Sequence, residues 1–245
     1  MKFLFVLFIL LMMTHFADAQ REMWGMTTYG GINNQGVIFK TNKTGKKETV
    51  MHYFDTATGA YPQGSLIQAT NGKLYGYTCY NNNYTKSVFF EFDCISKIYR
   101  PLLQVDTLGG IFLPGTPIQA TNGKIYFHAG NKIFEYNINL DTSKIVATLP
   151  FNLSNSNYWM QASDGNLYFA TQATITVGTR GALFRFNPNT YALTKLLTFT
   201  ERLGSPYGSF IEWSPGLLYG TFSTGTDSLQ YGGIFTYNIA TNYYG

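Results

Sequence analysis

The chain has 245 residues, of which 12% are charged and 17% aromatic, with 19 Tyr, 20 Phe and a formal net charge of +4. Charge so sparse, carried by single Lys residues and one Lys46-Lys47 pair, excludes the continuous basic stripe of a nucleic-acid binder. Few charges beside many Tyr, Thr, Asn and Gly residues suit extracellular β-structure, whose strands favour aromatic and β-branched side chains.

Met1-Lys2 is followed by an unbroken apolar run from Phe3 to Met13 and then by Ala17-Asp18-Ala19. A positive start, an apolar centre and small residues at the cleavage positions read as a secretory signal peptide over residues 1–19. The run is too short to span a bilayer, which needs about 20 apolar residues. We therefore expect a protein exported to the cell surface or the medium, with one repeat domain over residues 20–245 and no transmembrane segment after cleavage.

The stretch "LIQATNGKLYGYT" at Leu66 returns as "PIQATNGKIYFHA" at Pro117, then as "MQASDGNLYF" at Met160 and "IEWSPGLLYG" at Ile211, with a decayed copy, "EMWGMT", at Glu22. Its anchor aromatics Trp24, Tyr75, Tyr126, Tyr168 and Tyr219 are spaced 51, 51, 42 and 51 residues apart. A second anchor follows each copy, at Phe39, Phe90, Phe134, Phe184 and Phe235. Two independent markers sharing a period near 50 point to a solenoid, propeller or array. Each unit reads as four short strands. Asn71-Gly72, Asn122-Gly123 and Asp164-Gly165 predict type I′ hairpins between the first two, while Pro215-Gly216 requires a different turn. The third strand alternates, as in Phe90-Glu91-Phe92 and Phe134-Glu135-Tyr136. A fourth apolar run, such as "PLLQV", completes the unit.

The expected fold is all-β, a β-propeller-like array of four-stranded antiparallel blades, with a parallel β-helix as the competing architecture. Units begin near residues 23, 66, 117, 159 and 210, giving about 4.5 blades in an incomplete ring. The strand count runs three, then three sets of four, then three, as in a fragment of a longer protein. Gly25, Gly76 and Gly220, inside the second strands, mark expected close approaches at the propeller axis. Cys79 and Cys94 would lie at opposite ends of one hairpin ladder, beyond the ~7 Å Cα limit for a disulfide, so two separate thiols are expected.

The motifs "TTYGG" (Thr27 to Gly31), "GVIFK" (Gly36 to Lys40), "MHYF" (Met51 to Phe54) and "YPQGSLIQ" (Tyr61 to Gln68) resemble the GloVer-type tandem repeat of secreted bacterial proteins. The resemblance extends over residues 23–245. It implies an exported, propeller-like array of the kind followed by one of several surface anchors, and it implies no reaction and no catalytic residues.

Little in the chain offers chemistry. His52, expected in a fourth strand, and His128, expected just after a second strand, have no neighbours at zinc-ligand spacing. Glu91 and Glu135 occupy matching positions in successive units, as repeated structural residues do. We therefore expect no enzyme, no metal and no cofactor. The candidate binding residues lie in the polar, aromatic loops between second and third strands: Tyr29, Asn33 and Asn34, then Tyr80, Asn82 and Tyr84, then Tyr231. Tyr and Asn side chains on one rim suit an extracellular glycan or a surface protein, although plain soluble turns have the same composition. The alternative reading is an extracellular carbohydrate-active enzyme, or the propeller part of a larger one.

Overall fold

The structure, a computed structural model, describes residues 22–80, 86–106, 115–150, 153–154, 158–176, 179–200, 204–223 and 232–245. These residues form five successive antiparallel sheets. The first has three strands, β1 (Met23–Thr27), β2 (Val37–Thr41) and β3 (Thr49–Tyr53). The second runs β4 (Ala60–Gln68), β5 (Leu74–Tyr80), β6 (Lys86–Phe92), β7 (Tyr99–Asp106), and the third β8 (Ile118–Gln119), β9 (Ile125–Ala129), β10 (Lys132–Asn137), β11 (Thr142–Thr148). In the fourth, the short β12 (Leu153–Ser154) and β13 (Met160–Gln161) both pair with β14 (Leu167–Thr176), followed by β15 (Thr179–Phe186) and β16 (Leu193–Phe199). The fifth is β17 (Pro206–Ser214), β18 (Leu217–Phe222), β19 (Gly233–Asn238) and β20 (Tyr243–Tyr244). The two-residue β20 supplies a fourth strand where three were expected. Each sheet is a blade of the expected all-β, propeller-like array.

The blades stack face to face, so the central strands of the second, third and fourth blades are buried on both faces. Leu74, Phe90 and Phe92 of the second blade pack on Ile38 and Phe54 of the first. Its other face, Tyr75, Tyr77 and Phe89, packs on Ile125, Phe127, Phe134 and Tyr136 of the third. Third meets fourth through Tyr126 and Ile133 against Leu167, Phe169 and Phe184, and fourth meets fifth through Tyr168 and Leu183 against Phe210, Leu218 and Phe235. The register between third and fourth strands slips once in four blades, at Ile38/Phe39, Phe89/Phe90, Ile133/Phe134 and Leu183/Phe184. A bulge at one fixed place bends and twists each outer strand in the same way. Nothing in the sequence pattern announced it.

Two expectations are corrected. The turn after the first strand is not type I′. Gly72 N–H donates to Ala69 O and Ala69 N–H to Lys73 O, and only Gly72 of the Asn71-Gly72 pair has positive φ, at 80°. That is a type I turn closed by a left-handed glycine, the three-residue hairpin with a G1 bulge. The pattern recurs at Ala120–Lys124 and Ala162–Asn166. Pro215-Gly216 differs as expected, with Gly216 at φ 81° behind a proline, the signature of a type II turn.

The second correction concerns Gly76. A Cβ there would meet Phe90 Cζ and Leu66 Cδ2, both at 2.9 Å, and Phe90 is the direct cross-strand partner of Gly76. The missing side chain therefore makes room for a ring of the same blade and not for a neighbouring blade at the axis. Gly25–Phe39 and Gly220–Phe235 repeat the pair. Where the sequence has Phe at this position, two rings stack instead: Phe127 on Phe134 at 5.3 Å and Phe169 on Phe184 at 5.4 Å.

The repeated glutamine also has a structural explanation. Gln119 of the third blade accepts Thr70 N–H of the second at 2.8 Å and donates to Thr70 Oγ1 at 3.0 Å and to Gly123 O at 2.9 Å. Gln161 binds Thr121 and Gly165 O identically. At the last interface Glu212 replaces Gln, accepting from Ser163 N–H, Ser163 Oγ–H and Gly216 N–H. The first strands of the third, fourth and fifth blades thus clasp the preceding blade's turn.

Candidate functional site: the loop rim

Because the strands are antiparallel, the turns after first and third strands lie at one end of the array, and the connections between second and third strands lie at the other. The turn end is a network of structural ties. Glu91 is held by Lys73 at 2.8 Å, Arg100 at 2.9 Å and the Tyr75 hydroxyl at 3.0 Å. Glu135 receives Lys124 at 3.0 Å and Tyr126 at 2.9 Å. Burial opposes the charge of Glu91, but hydrogen bonds from Arg100, Lys73 and Tyr75 outweigh it and hold the carboxyl below its usual range; Lys124, Tyr191 and Tyr126 do the same at Glu135. Arg100 also bridges to Asp141 of the next blade at 2.7 Å. Glu91 is therefore matched within its own blade, Glu135 within its blade and by Tyr191 of the next, and Arg100 carries the tie from Glu91 on to Asp141.

His52 is half-buried and His128 buried, both beside aromatic rings. His52 lies on β3, stacked on Tyr99 at 4.2 Å, and burial lowers its pKa to about 4 against a smaller opposing effect of Asp55. His128 lies within β9, not beyond it, near the Trp159 ring at 6.2 Å, and burial lowers its pKa to about 4 as well. Among the described residues, no group of three or more His, Cys, Asp or Glu side chains is placed to hold a metal. Cys79 is buried, Cys94 half-buried, and both are free thiols.

The rim end carries the candidate binding residues. Its first loop, Thr28 to Gln35, is tied down from several sides. Thr28 Oγ1 donates to Pro62 O at 3.0 Å, Asn33 Nδ2 to Phe54 O at 2.9 Å, and Tyr61 N–H to Gln35 O at 2.9 Å. Asn34 adopts φ 53° and accepts Gly30 N–H on its side-chain oxygen at 3.1 Å. Asn33 and Asn34 therefore shape the loop, each with one side-chain group committed internally. Tyr29 is different. It stands 66% exposed with its ring edge-on to Tyr61 at 5.6 Å and 61°, and Ile32 beside it in the loop is 79% exposed.

Tyr61 was not among the residues singled out from the sequence. It sits on β4 at φ 56°, a conformation costly for a bulky residue, and it is the partner that fixes Tyr29. The only signal was its place before Pro62 in "YPQG". Tyr80 ends β5 at the same rim, with its side chain outside the described residues, as are Asn82, Tyr84 and Tyr231. The structure thus positions the first candidate loop and leaves the others unplaced.

No family model matches the chain, and no curated protein matches it. Its fold does match solved structures. A streptogramin B lyase superposes with a TM-score of 0.61 and 13% identity over 93% of this chain and 65% of that one. TolB from Acinetobacter baumannii gives 0.57 and 10% over 93% and 52%, and a puromycin hydrolase 0.60 and 9% over 91% and 35%. The chain spans less than two thirds of the length of each. At such identities the likeness establishes architecture alone. It also corrects the expectation that the chain is no enzyme, since the same architecture carries a lyase and a hydrolase: the fold is compatible with catalysis, and a propeller scaffold is what it shows.

Proposed function

We propose that this chain is an exported propeller scaffold that binds an extracellular glycan on its loop rim, through the Tyr29–Tyr61 pair. The observation that carries the reading is this pair: one ring exposed, its partner anchored on a strand, and the intervening loop held by backbone and side-chain hydrogen bonds. Flat rings with hydroxyl tips stack on apolar sugar faces and bond to sugar hydroxyls. A pre-organised platform loses little entropy on binding. The apolar leader before Ala17-Asp18-Ala19 and the GloVer-like motifs support export.

The test is retention of the purified protein on a panel of immobilised polysaccharides, with the soluble phase assayed for released oligosaccharides. Tyr29→Ala should weaken retention at least tenfold while leaving the melting temperature unchanged, and Tyr29→Phe should keep most of it. Retention unchanged in Tyr29→Ala, or no retention on any glycan, overturns the reading; capture of a surface protein in place of a glycan would do so too. Oligosaccharide release by wild type would add turnover to the same site.

A further inference from the structure

The third blade interrupts the rim. Its second and third strands join through only Gly130 and Asn131, where the first blade has the loop from Thr28 to Gly36. Beside this short turn lies a cavity of about 230 Å³, bounded by Gln104 and Val105 of β7 in the second blade and by Ala129 to Lys132 and Phe134 of the third. That space is equivalent to about eight waters and is smaller than the roughly 300–1,000 Å³ of drug-sized sites. It suits a single small ring.

Its chemistry is lopsided. The floor is aromatic and rigid: Phe134 is stacked on Phe127 at 5.3 Å, which is stacked on Phe89 at 4.2 Å. Gln104 and Asn131 bring amides to the wall, and Asn131 itself is fixed, its Nδ2 donating to Leu149 O and its carbonyl accepting Leu149 N–H at 2.7 Å. Lys132 is the sole charged residue of the lining, which contains no carboxylate. Lys73, Lys124 and Lys144 each face a buried glutamate, whereas among the described residues Lys132 has no acidic partner. A cation left unmatched beside an apolar floor and two amides is complementary to a ring that carries its own negative charge.

We propose that this notch is a subsite for an acidic sugar unit, a uronic acid, with Lys132 pairing the carboxylate, Gln104 and Asn131 bonding to hydroxyls and Phe134 under the ring. The inference rests on the glycan-binding reading above and supplies its charge preference. The notch and the Tyr29 platform lie at the same end of the array, so one acidic polysaccharide could engage both.

The experiment is an amide-resolved NMR titration of the protein with free glucuronate and galacturonate, against glucose, galactose and acetate. The uronates should shift the Gly130, Asn131 and Lys132 amides with millimolar affinity that weakens as salt rises. The neutral sugars and acetate should bind at least fivefold more weakly. Lys132→Ala should reduce uronate affinity about tenfold, and Lys132→Arg should retain it. Equal shifts with acetate, equal shifts with neutral sugars, or an unchanged Lys132→Ala variant each overturn the proposal. Polysaccharide retention lost in Tyr29→Ala with no uronate shift at the notch would refute the subsite and leave the platform standing. Uronate shifts at the notch without retention on any polysaccharide would refute the platform and leave the subsite.

Discussion

The glutamine clasp between blades makes a sharp prediction, because the structure contains both versions of it. At Gln119 the side chain must accept Thr70 N–H and donate to Gly123 O. At Glu212 it must accept everywhere, from Ser163 and from Gly216 N–H. The difference follows from the turn: a type I turn with a left-handed glycine presents the glycine carbonyl, whereas the Pro215-Gly216 turn presents the glycine N–H. Gln119→Glu therefore keeps the bond from Thr70 N–H but loses the donor to Gly123 O and sets a carboxylate against a carbonyl. The Thr70 hydroxyl can rotate to donate, recovering one contact. One lost hydrogen bond is worth about 0.5–1.5 kcal/mol; with the repulsion, softened by solvent at this exposed site, we expect about 1–2 kcal/mol in all. At roughly 2–4 °C per kcal/mol for a domain of this size, the melting temperature should fall by about 2–8 °C at pH 7. Protonation restores a donor, so the deficit relative to wild type should shrink near pH 4. Thermal melts of both proteins across pH 4–8 measure it. A variant as stable as wild type at pH 7, or a deficit independent of pH, refutes the clasp.

Three further outcomes follow. His128 is buried with its pKa lowered to about 4 from 6.5, so the unfolded chain binds the extra proton between those values. Its contribution is complete above pH 6.5 and is lost as pH falls towards 4, by an order-of-magnitude 3 kcal/mol; urea denaturation of His128→Phe should show a shallower loss of stability over that window than wild type. Cys79 is buried, which pushes its thiol pKa up to about 12, so in the native protein it should react with a thiol reagent far more slowly than half-buried Cys94, and both should react at once in denaturant. Trp213 is 78% exposed where the equivalent Ala120 is 3% exposed. Trp213→Ala should change stability by no more than about 0.5 kcal/mol, while Ala120→Trp should cost about 3 kcal/mol or more; a large loss in Trp213→Ala by urea denaturation would refute the exposed placement.

Much of the fold was legible because its signals are periodic and local. Three of the five anchor aromatics, Tyr75, Tyr126 and Tyr168, are at 0% exposure in the inner blades, and a side chain that cannot be moved keeps its spacing. Trp24 and Tyr219, in the end blades, are half-buried. The turn type was misread because Asn-Gly serves two hairpins: it suits type I′, and it also puts a glycine where a G1 bulge needs positive φ. The sequence pair is common to both, and only the hydrogen bond from Ala69 N–H to Lys73 O separates them. The role of Gly76 was hidden for a different reason. A glycine in a strand can admit a ligand, another backbone or a ring, and the choice depends on the cross-strand register with Phe90, which lies 14 residues away in the chain.

The candidate site was less legible, because composition does not say which polar groups are already in use. Asn33, Asn34 and Tyr29 look alike as ligand-contacting residues, yet the first two, though exposed, are partly committed to Phe54 O and Gly30 N–H, while Tyr29 offers an exposed ring. Tyr61 belongs to the next blade, 32 residues on, and reaches Tyr29 because the connection into β4 runs along the first loop, with Tyr61 N–H bonded to Gln35 O. The same logic separates the lysines. Lys73 and Lys124 follow the repeated turn and meet the repeated glutamate on the adjacent third strand, so their charge is absorbed by the pattern. Lys132 takes the third-strand place that Val88 holds in the second blade, opposite Ala129 where Val88 faces Thr78, and among the described residues no carboxylate pairs it. In a chain built by repetition, the groups left for a ligand are those that the repeat does not pair.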